Sequence, residues 1–389
     1  MVNSSVLASR CGDVDVSGIR RVFHLGAKLK DPINLSIGQP DFPVPDAVKE
    51  AAQDAIANDH NGYTLTQGIP PLVRRIREHL GADLGWDAGN EDVGVVVTSG
   101  TSGALYLLNL ALLEPGAEII IPDPYFVAYP HMATICGGRA VRCDTYPDFR
   151  MTAERVAPLI TENTRAVLLN SPGNPTGVVM TGEEVDELAR LCADKGVLLI
   201  SDEIYDEFVY SDARNDEGKC PSPCRLPGAH ETQCVIRGFG KTYGCTGWRM
   251  GYIAGPTWLT DQVAKFQQYT YVCAPAPLQH GCLATFDADI SSIVSNYETR
   301  RDMVLEKLGG ATEVFKPGGA FYCFAKVPEH LGMTGQQFCE RCVEENLLVI
   351  PGGVFSDRDT HFRLSFAASE DRLARGLEIL VRLMSRPGS

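Results

Sequence analysis

From about Asp92 to Ala254 short β-rich apolar runs alternate with amphipathic stretches, and no other feature limits the fold so tightly. Val95–Val97 predicts a strand, followed by Ser99-Gly100-Thr101-Ser102-Gly103 and then a helix over Ala104–Leu113, whose apolar residues recur at helical spacing. Ile119–Ile121 predicts the next strand, ending at Pro122, and Ala166–Leu169 another, ending in the turn-rich Ser171-Pro172-Gly173-Asn174-Pro175. Glu183–Lys195 reads as a helix stopped by Gly196. Val197–Ile200 is continuously apolar, as in a strand buried on both faces, and Cys234–Ile236 and Met250–Ala254 complete the set. Strands alternating with helices of this length predict an α/β fold with a mostly parallel sheet, whose ligands bind beyond the carboxyl ends of the strands. Beyond about Gln279 the character changes: a long helical stretch over Ser291–Leu308, then β-like Ala320–Ala325 and Arg363–Phe366, suits a smaller α+β domain. Asp212–His230 is polar with Pro and Gly and reads as a surface loop.

The chain has 389 residues, 44% hydrophobic and 22% charged, enough for two packed lobes. No stretch reaches the ~20 apolar residues that cross a bilayer, and Met1–Arg21 lacks an apolar signal core, so no membrane association and a cytoplasmic location are expected. A net charge of -14 argues against a nucleic-acid partner, so an anionic ligand needs a local positive pocket. The thirteen cysteines are odd in number and scattered, which predicts reduced thiols, with Cys192 and Cys282 as core filler. Cys220 with Cys224 and Cys339 with Cys342 have suggestive spacing for zinc, but no His stands at matching local spacing, so no metal is expected.

Two resemblances mislead. Gly240-Lys241-Thr242 looks like the end of a phosphate-binding P-loop, and Leu198–Glu203 like its acidic partner strand. The glycine that a P-loop requires five residues before Gly240 is Val235, and the acidic strand precedes the lysine. No strand-linked G-x-G-x-x-G for a dinucleotide is present.

The same residues fit a different site. Small residues at 99–103, between a strand and a helix, can seat a phosphate on backbone N–H groups, although a plain turn has the same composition. Asp202 and Tyr205 follow the Val197–Ile200 strand three residues apart and could face one ligand, the carboxylate keeping a heteroaromatic nitrogen protonated and the phenol bonding a ring oxygen; a cap and a packing tyrosine are the plain alternative. Lys241, amid small and aromatic neighbours, can be desolvated into a Schiff-base nucleophile. Arg249 leads into an apolar strand, so it is expected to be shielded from solvent and to need an anion.

Ser171-Pro172-Gly173-Asn174-Pro175-Thr176-Gly177, Asp202-Glu203-Ile204-Tyr205 and Lys241-Thr242-Tyr243 through Gly247-Trp248-Arg249-Met250-Gly251-Tyr252 resemble class I/II aminotransferases, aspartate aminotransferase-like members of the fold-type I pyridoxal-phosphate enzymes. The likeness runs in family order from Ser36–Phe42 to Arg363–Phe366. It implies a large cofactor-binding domain over 46–280, a small C-terminal domain over 281–389, and an N-terminal segment, 1–45, serving the small domain and dimer contacts. It also implies pyridoxal 5'-phosphate held as a Schiff base on Lys241, with Asp202 on the ring nitrogen, Asn174 and Tyr205 on the ring 3-oxygen and Phe126 stacked on the ring. Thr101, Ser102 and Arg249 hold the phosphate; Tyr63 reaches the phosphate of a neighbouring subunit in a homodimer with shared sites. Arg363, with Asn174 and the backbone of Gly38, binds the substrate α-carboxylate. The catalytic residues so implied are Lys241, Asp202 and Tyr205. The family usually has serines where this chain has Gly238 and Gly240, so one hydroxyl contact to the phosphate, about 1 kcal/mol, is missing. The implied reaction moves an amino group from an α-amino acid to a 2-oxo acid by a ping-pong route; a lyase or cyclising synthase on the same fold is the alternative. A ligand-sensing regulator would need an appended basic module, and none is evident.

Overall fold

The computed structural model describes residues 6–19, 22, 26, 27 and 29–385. Its strands in chain order are β1 (Ile33–Asn34), β2 (Val93–Ser99), β3 (Glu118–Asp123), β4 (Arg139–Asp144), β5 (Thr164–Asn170), β6 (Leu198–Asp202), β7 (Gln233–Gly238), β8 (Met250–Pro256), β9 (Tyr322–Lys326), β10 (Leu347–Leu348), β11 (Ile350–Pro351) and β12 (His361–Ser365).

Seven strands form one sheet in the order β2-β8-β7-β6-β5-β3-β4. β8 runs antiparallel to both neighbours, and the remaining pairings are parallel. The apolar runs mark six of these strands and miss β4, whose RAVRCD sequence carries no such run; β2, β3, β5, β6 and β7 extend past their runs to end on polar or small residues, Ser99, Asp123, Asn170, Asp202 and Gly238. β3 runs through Pro122 because pairing with β5 stops at Ile120, so the missing N–H is not needed on that side. β6 and β7 are buried along their whole length. On one face Leu105 and Leu108 pack with Ile253 and Val263, while on the other Leu188 and Cys192 pack under Val167 and Leu199. The helix beneath that second face, Gly182–Lys195, closes at Gly196 in the left-handed region, as its sequence predicts, and opens with a Thr181–Glu184 capping box that the sequence reading did not include.

β9, β11 and β12 make a separate antiparallel sheet, and β1 pairs in parallel with β10. The helices Ser291–Leu308 and Glu370–Met384 cover these with Val304, Leu308, Leu373, Leu377 and Leu380, each fully buried and contributing roughly 1.5–3 kcal/mol of apolar transfer. The pairing of β1 with β10 carries the chain on to Leu35, which donates to Leu348 and accepts from Ser365. Ser36 and Gly38 are thereby delivered to the open end of the large sheet.

Two expectations need correction. The helix after β2 begins at Gly100, not Ala104, so Thr101 and Ser102 lie in its first turn and not in a preceding loop. The reading of residues 212–230 as a surface loop fails at its centre. Cys220, Ser222 and Cys224 are buried, because Ser222 donates to Glu203 and the Cys224 carbonyl accepts from the Trp86 indole. All thirteen cysteines are free thiols, and burial pushes those of Cys220 and Cys224 well above the ordinary thiol range.

Candidate active site

A cavity of about 330 Å³ opens at the carboxyl ends of the parallel strands. Lys241, Asp202, Tyr205, Thr101, Ser102, Phe126, Asn174, Arg249, Gly38 and Arg363 all line it, although they are scattered over more than three hundred positions of sequence.

Lys241 lies in a single helical turn, Phe239–Thr242, that β7 feeds. Its ammonium donates to the Gly38 carbonyl. Desolvation, with the guanidinium charges of Arg363 and Arg249, brings its pKa down to about 8 from the usual 10.5. Such an amine is neutral in part near physiological pH and able to attack a carbonyl carbon.

Asp202 closes β6 and is 3% exposed. Its Oδ2 accepts from the Tyr129 hydroxyl at 2.7 Å and its Oδ1 from the Ile204 backbone N–H at 3.3 Å. Among the described residues no cation pairs with it. Burial therefore dominates and raises the carboxyl to about 6, against the lowering effect of those two donors. Asn170 ties this wall together: its amide donates to the Asp202 carbonyl at 3.0 Å and its Oδ1 accepts from the Asn174 N–H at 2.9 Å. The Tyr205 and Tyr322 hydroxyls lie 3.0 Å apart.

Two features select anions. At one end, the first turn of the helix Gly100–Leu112 presents free N–H groups together with the hydroxyls of Thr101 and Ser102. Gly100, at φ 69, is required there, since a Cβ would come within 2.7 Å of the Arg249 guanidinium. Arg249 departs from expectation: it is exposed rather than shielded, with a left-handed φ of 56, and its guanidinium donates to the Thr246 carbonyl without an acidic partner among the described residues. A turn that folds the chain back before β8, not burial, aims it at the helix end. At the other end Arg363, in the middle of β12, is 1% exposed and has no carboxylate partner among the described residues. It donates to Asn174 Oδ1 and to the Ser36 carbonyl, both at 2.9 Å, and lies over the rings of Tyr322 and Phe355. Its Nε is buried without a hydrogen-bond partner. An unpaired buried guanidinium is costly unless an anion completes it.

Tyr63 lies apart from the cavity, with 88% of its surface exposed. Gly238 and Gly240 have a local steric reason. A Cβ at Gly238 would meet Ile204 Cδ1 at 2.6 Å and Thr101 Cγ2 at 3.0 Å, and one at Gly240 would crowd the Thr246 backbone at 3.2 Å. Thr246 itself lines the cavity.

Behind Asp202 stands a buried charge network invisible to sequence reading. Arg237 on β7 pairs with Glu203 and Asp83 at 2.7 Å and with Asp206 at 3.1 Å. Glu203 also accepts from Ser201 and Ser222. Tyr129 stands in no run read from the sequence, Tyr322 lies in the β-like Ala320–Ala325 run and Ser36 opens the Ser36–Phe42 likeness, neither with a role assigned to it, and Asn170 left only the trace of a polar residue closing an apolar run.

Comparison with known proteins gives a consistent answer. The family described as "Aminotransferase class I and II" matches residues 30–380. The putative aminotransferase YugH of Bacillus subtilis is 35% identical, covering 98% of this chain and 99% of its own. An aspartate aminotransferase of Pyrococcus abyssi is 31% identical over 97% and 98%. A solved aspartate aminotransferase of Thermus thermophilus, a single mutant, superposes with a TM-score of 0.89 at 33% identity, covering 98% of this chain and 100% of the other.

Proposed function

Because this chain belongs to the class I and II aminotransferases, we propose that it moves an amino group from an α-amino acid to a 2-oxo acid on pyridoxal 5'-phosphate held by Lys241. The observation that carries this is a desolvated amine sharing one cavity with Arg249, Arg363 and a buried carboxylate that has no cation partner among the described residues. Those residues fit the cofactor. Thr101, Ser102, the helix end and Arg249 would hold its phosphate, Phe126 a ring face, Asp202 its ring nitrogen, and Asn174 with Tyr205 its ring oxygen. When bound, the cofactor supplies an electrophilic carbon and a ring that accepts electrons.

The protein's own part is placement and proton handling. The neutral fraction of Lys241 Nζ would make the covalent attachment, and the low pKa raises that fraction. Arg363 would grip the substrate α-carboxylate through a two-pronged fork, the anion its buried guanidinium lacks. With the substrate amine seated beside it, the free Lys241 Nζ would serve as the general base for the α-proton. Asp202, in its negative form, would stabilise positive charge at the ring nitrogen.

The division into a large domain over 46–280 that would bind the cofactor, a small domain over 281–389 that carries Arg363, and a segment 1–45 serving the small domain and dimer contacts belongs to the same reading. So does a homodimer. Tyr63, Leu65 and Tyr269 are 88%, 63% and 85% exposed, and the Thr66 carbonyl accepts from Gln267 two residues before Tyr269, which puts these apolar groups on one face.

A panel of amino donors with 2-oxoglutarate or pyruvate as acceptor tests the reaction class. Donor loss should require an acceptor, and double-reciprocal plots should be parallel. Ammonia or pyruvate released from one amino acid without acceptor would instead show a lyase.

A further inference from the structure

Tyr129 is the second residue of the helix Ala128–Ile135, three positions after Phe126, and belongs to no motif. It is 3% exposed, as is Asp202, and its hydroxyl donates to Asp202 Oδ2 at 2.7 Å across 73 residues of sequence. The Tyr129 ring meets Phe126 edge-on, with centroids 5.5 Å apart at 79°. One side chain thus touches both the carboxylate and the aromatic wall of the cavity. We propose that Tyr129 is a positioning residue that fixes Asp202 in its charged form and in one rotamer while bracing Phe126, so that the two cofactor contacts form one rigid unit. This rests on the function proposed above.

A carboxylate accepts about four hydrogen bonds. Tyr129 and Ile204 satisfy two here and leave lone pairs for a ring N–H facing the cavity. The groups around Asp202 are few: Tyr129 from its helix, Asn170 from β5, whose amide bonds the Asp202 backbone, and Glu203, Ile204 and Tyr205 from the segment that follows β6. Glu203 pushes the carboxyl upward, as burial does, so Tyr129 is the side chain that opposes both. Burial, with the Asp202 charge, keeps the phenol far above its usual pKa, so it remains a donor throughout the working range.

The test compares wild type, Tyr129→Phe and a protein carrying 3-fluorotyrosine at 129, each loaded with pyridoxal phosphate. Cofactor dissociation constants are measured at pH 6 and pH 8, and the visible absorbance of the bound cofactor is titrated with pH. Tyr129→Phe keeps the ring against Phe126 and deletes only the donor. Its dissociation constant should rise about tenfold at pH 8, the scale of one charge-assisted hydrogen bond, and further at pH 6, where more Asp202 is protonated. Its absorbance midpoint should shift relative to wild type. Fluorotyrosine, a stronger donor of nearly equal size, should tighten binding at pH 6. Dissociation constants for Tyr129→Phe within twofold of wild type, or a loss equal at both pH values, would overturn the proposal. If Tyr129→Phe fails to fold, unchanged or weaker binding by the fluorotyrosine protein at pH 6 overturns it alone. Wild type that takes up no cofactor on Lys241 would instead refute the functional reading.

Discussion

A charged amine is expensive to bury, and Lys241 reports that cost through its pKa near 8. The sign of the resulting pH effect follows by linkage. In cofactor-free protein the folded state holds fewer protons on this amine than the unfolded chain between about pH 8 and 10.5, so stability rises with pH across that window. Lys241→Met should abolish the effect: the melting temperature of wild type should climb relative to the variant from pH 8 to pH 10, and a constant difference would contradict it. Arg363 is a fork rather than a point charge. Arg363→Lys should therefore lower kcat/KM about 10- to 100-fold, equivalent to ~1.5–3 kcal/mol, mainly through KM for the carboxylate substrate. An unchanged KM would remove Arg363 from substrate binding. Lys241, Asp202 and Arg363 were legible in the sequence because each stands in a recognisable run. Tyr129 was not, because its partner is set by the three-dimensional neighbourhood of the ends of β3 and β6. Arg249 reaches the cavity through a turn and not through the burial that its sequence context predicts.

At the scale of elements, apolar runs announce most strands of the large sheet, though not β4, whereas the polar strand ends that line the cavity leave no such signal. Val197–Ile200 reads as a buried strand from its composition, but the strand begins at Leu198, and its further step to Asp202 depends on pairing with Asn170 and Ile236. The segment around Cys220–Cys224 misled for a related reason: Pro, Ser and Cys look like loop residues, yet the buried Glu203 draws Ser222 inward. Two substitutions probe this layer. Gly238→Ser restores the residue usual in the family, but its Cβ must push aside the end of the Ile204 side chain and crowd Thr101 Cγ2, so it should cost about 1 kcal/mol in urea denaturation without tightening cofactor binding. Tighter binding would show that space exists for it. Arg237→Met strands Glu203, Asp206 and Asp83 without their shared cation and should cost about 3–5 kcal/mol in the same assay. A loss under about 1 kcal/mol would mean that the network protonates at little cost.

For the whole molecule, the α/β class and its open strand ends followed from periodicity, while the delivery of Ser36 and Gly38 by β1 and β10 did not, since two-residue strands leave no pattern. Tyr63 lies apart from the cavity of its own chain, and the proposed homodimer would bring it to the neighbouring site. Mixing Lys241→Ala with Tyr63→Ala subunits should give more activity than either homodimer, because one hybrid site keeps both residues; no gain would assign Tyr63 to its own subunit or to no site. The account stands or falls on where the cofactor is fixed. Protein loaded with pyridoxal phosphate, reduced with borohydride and digested should carry one cofactor mass per chain on the peptide containing Lys241. Label on another lysine, or none, would contradict it.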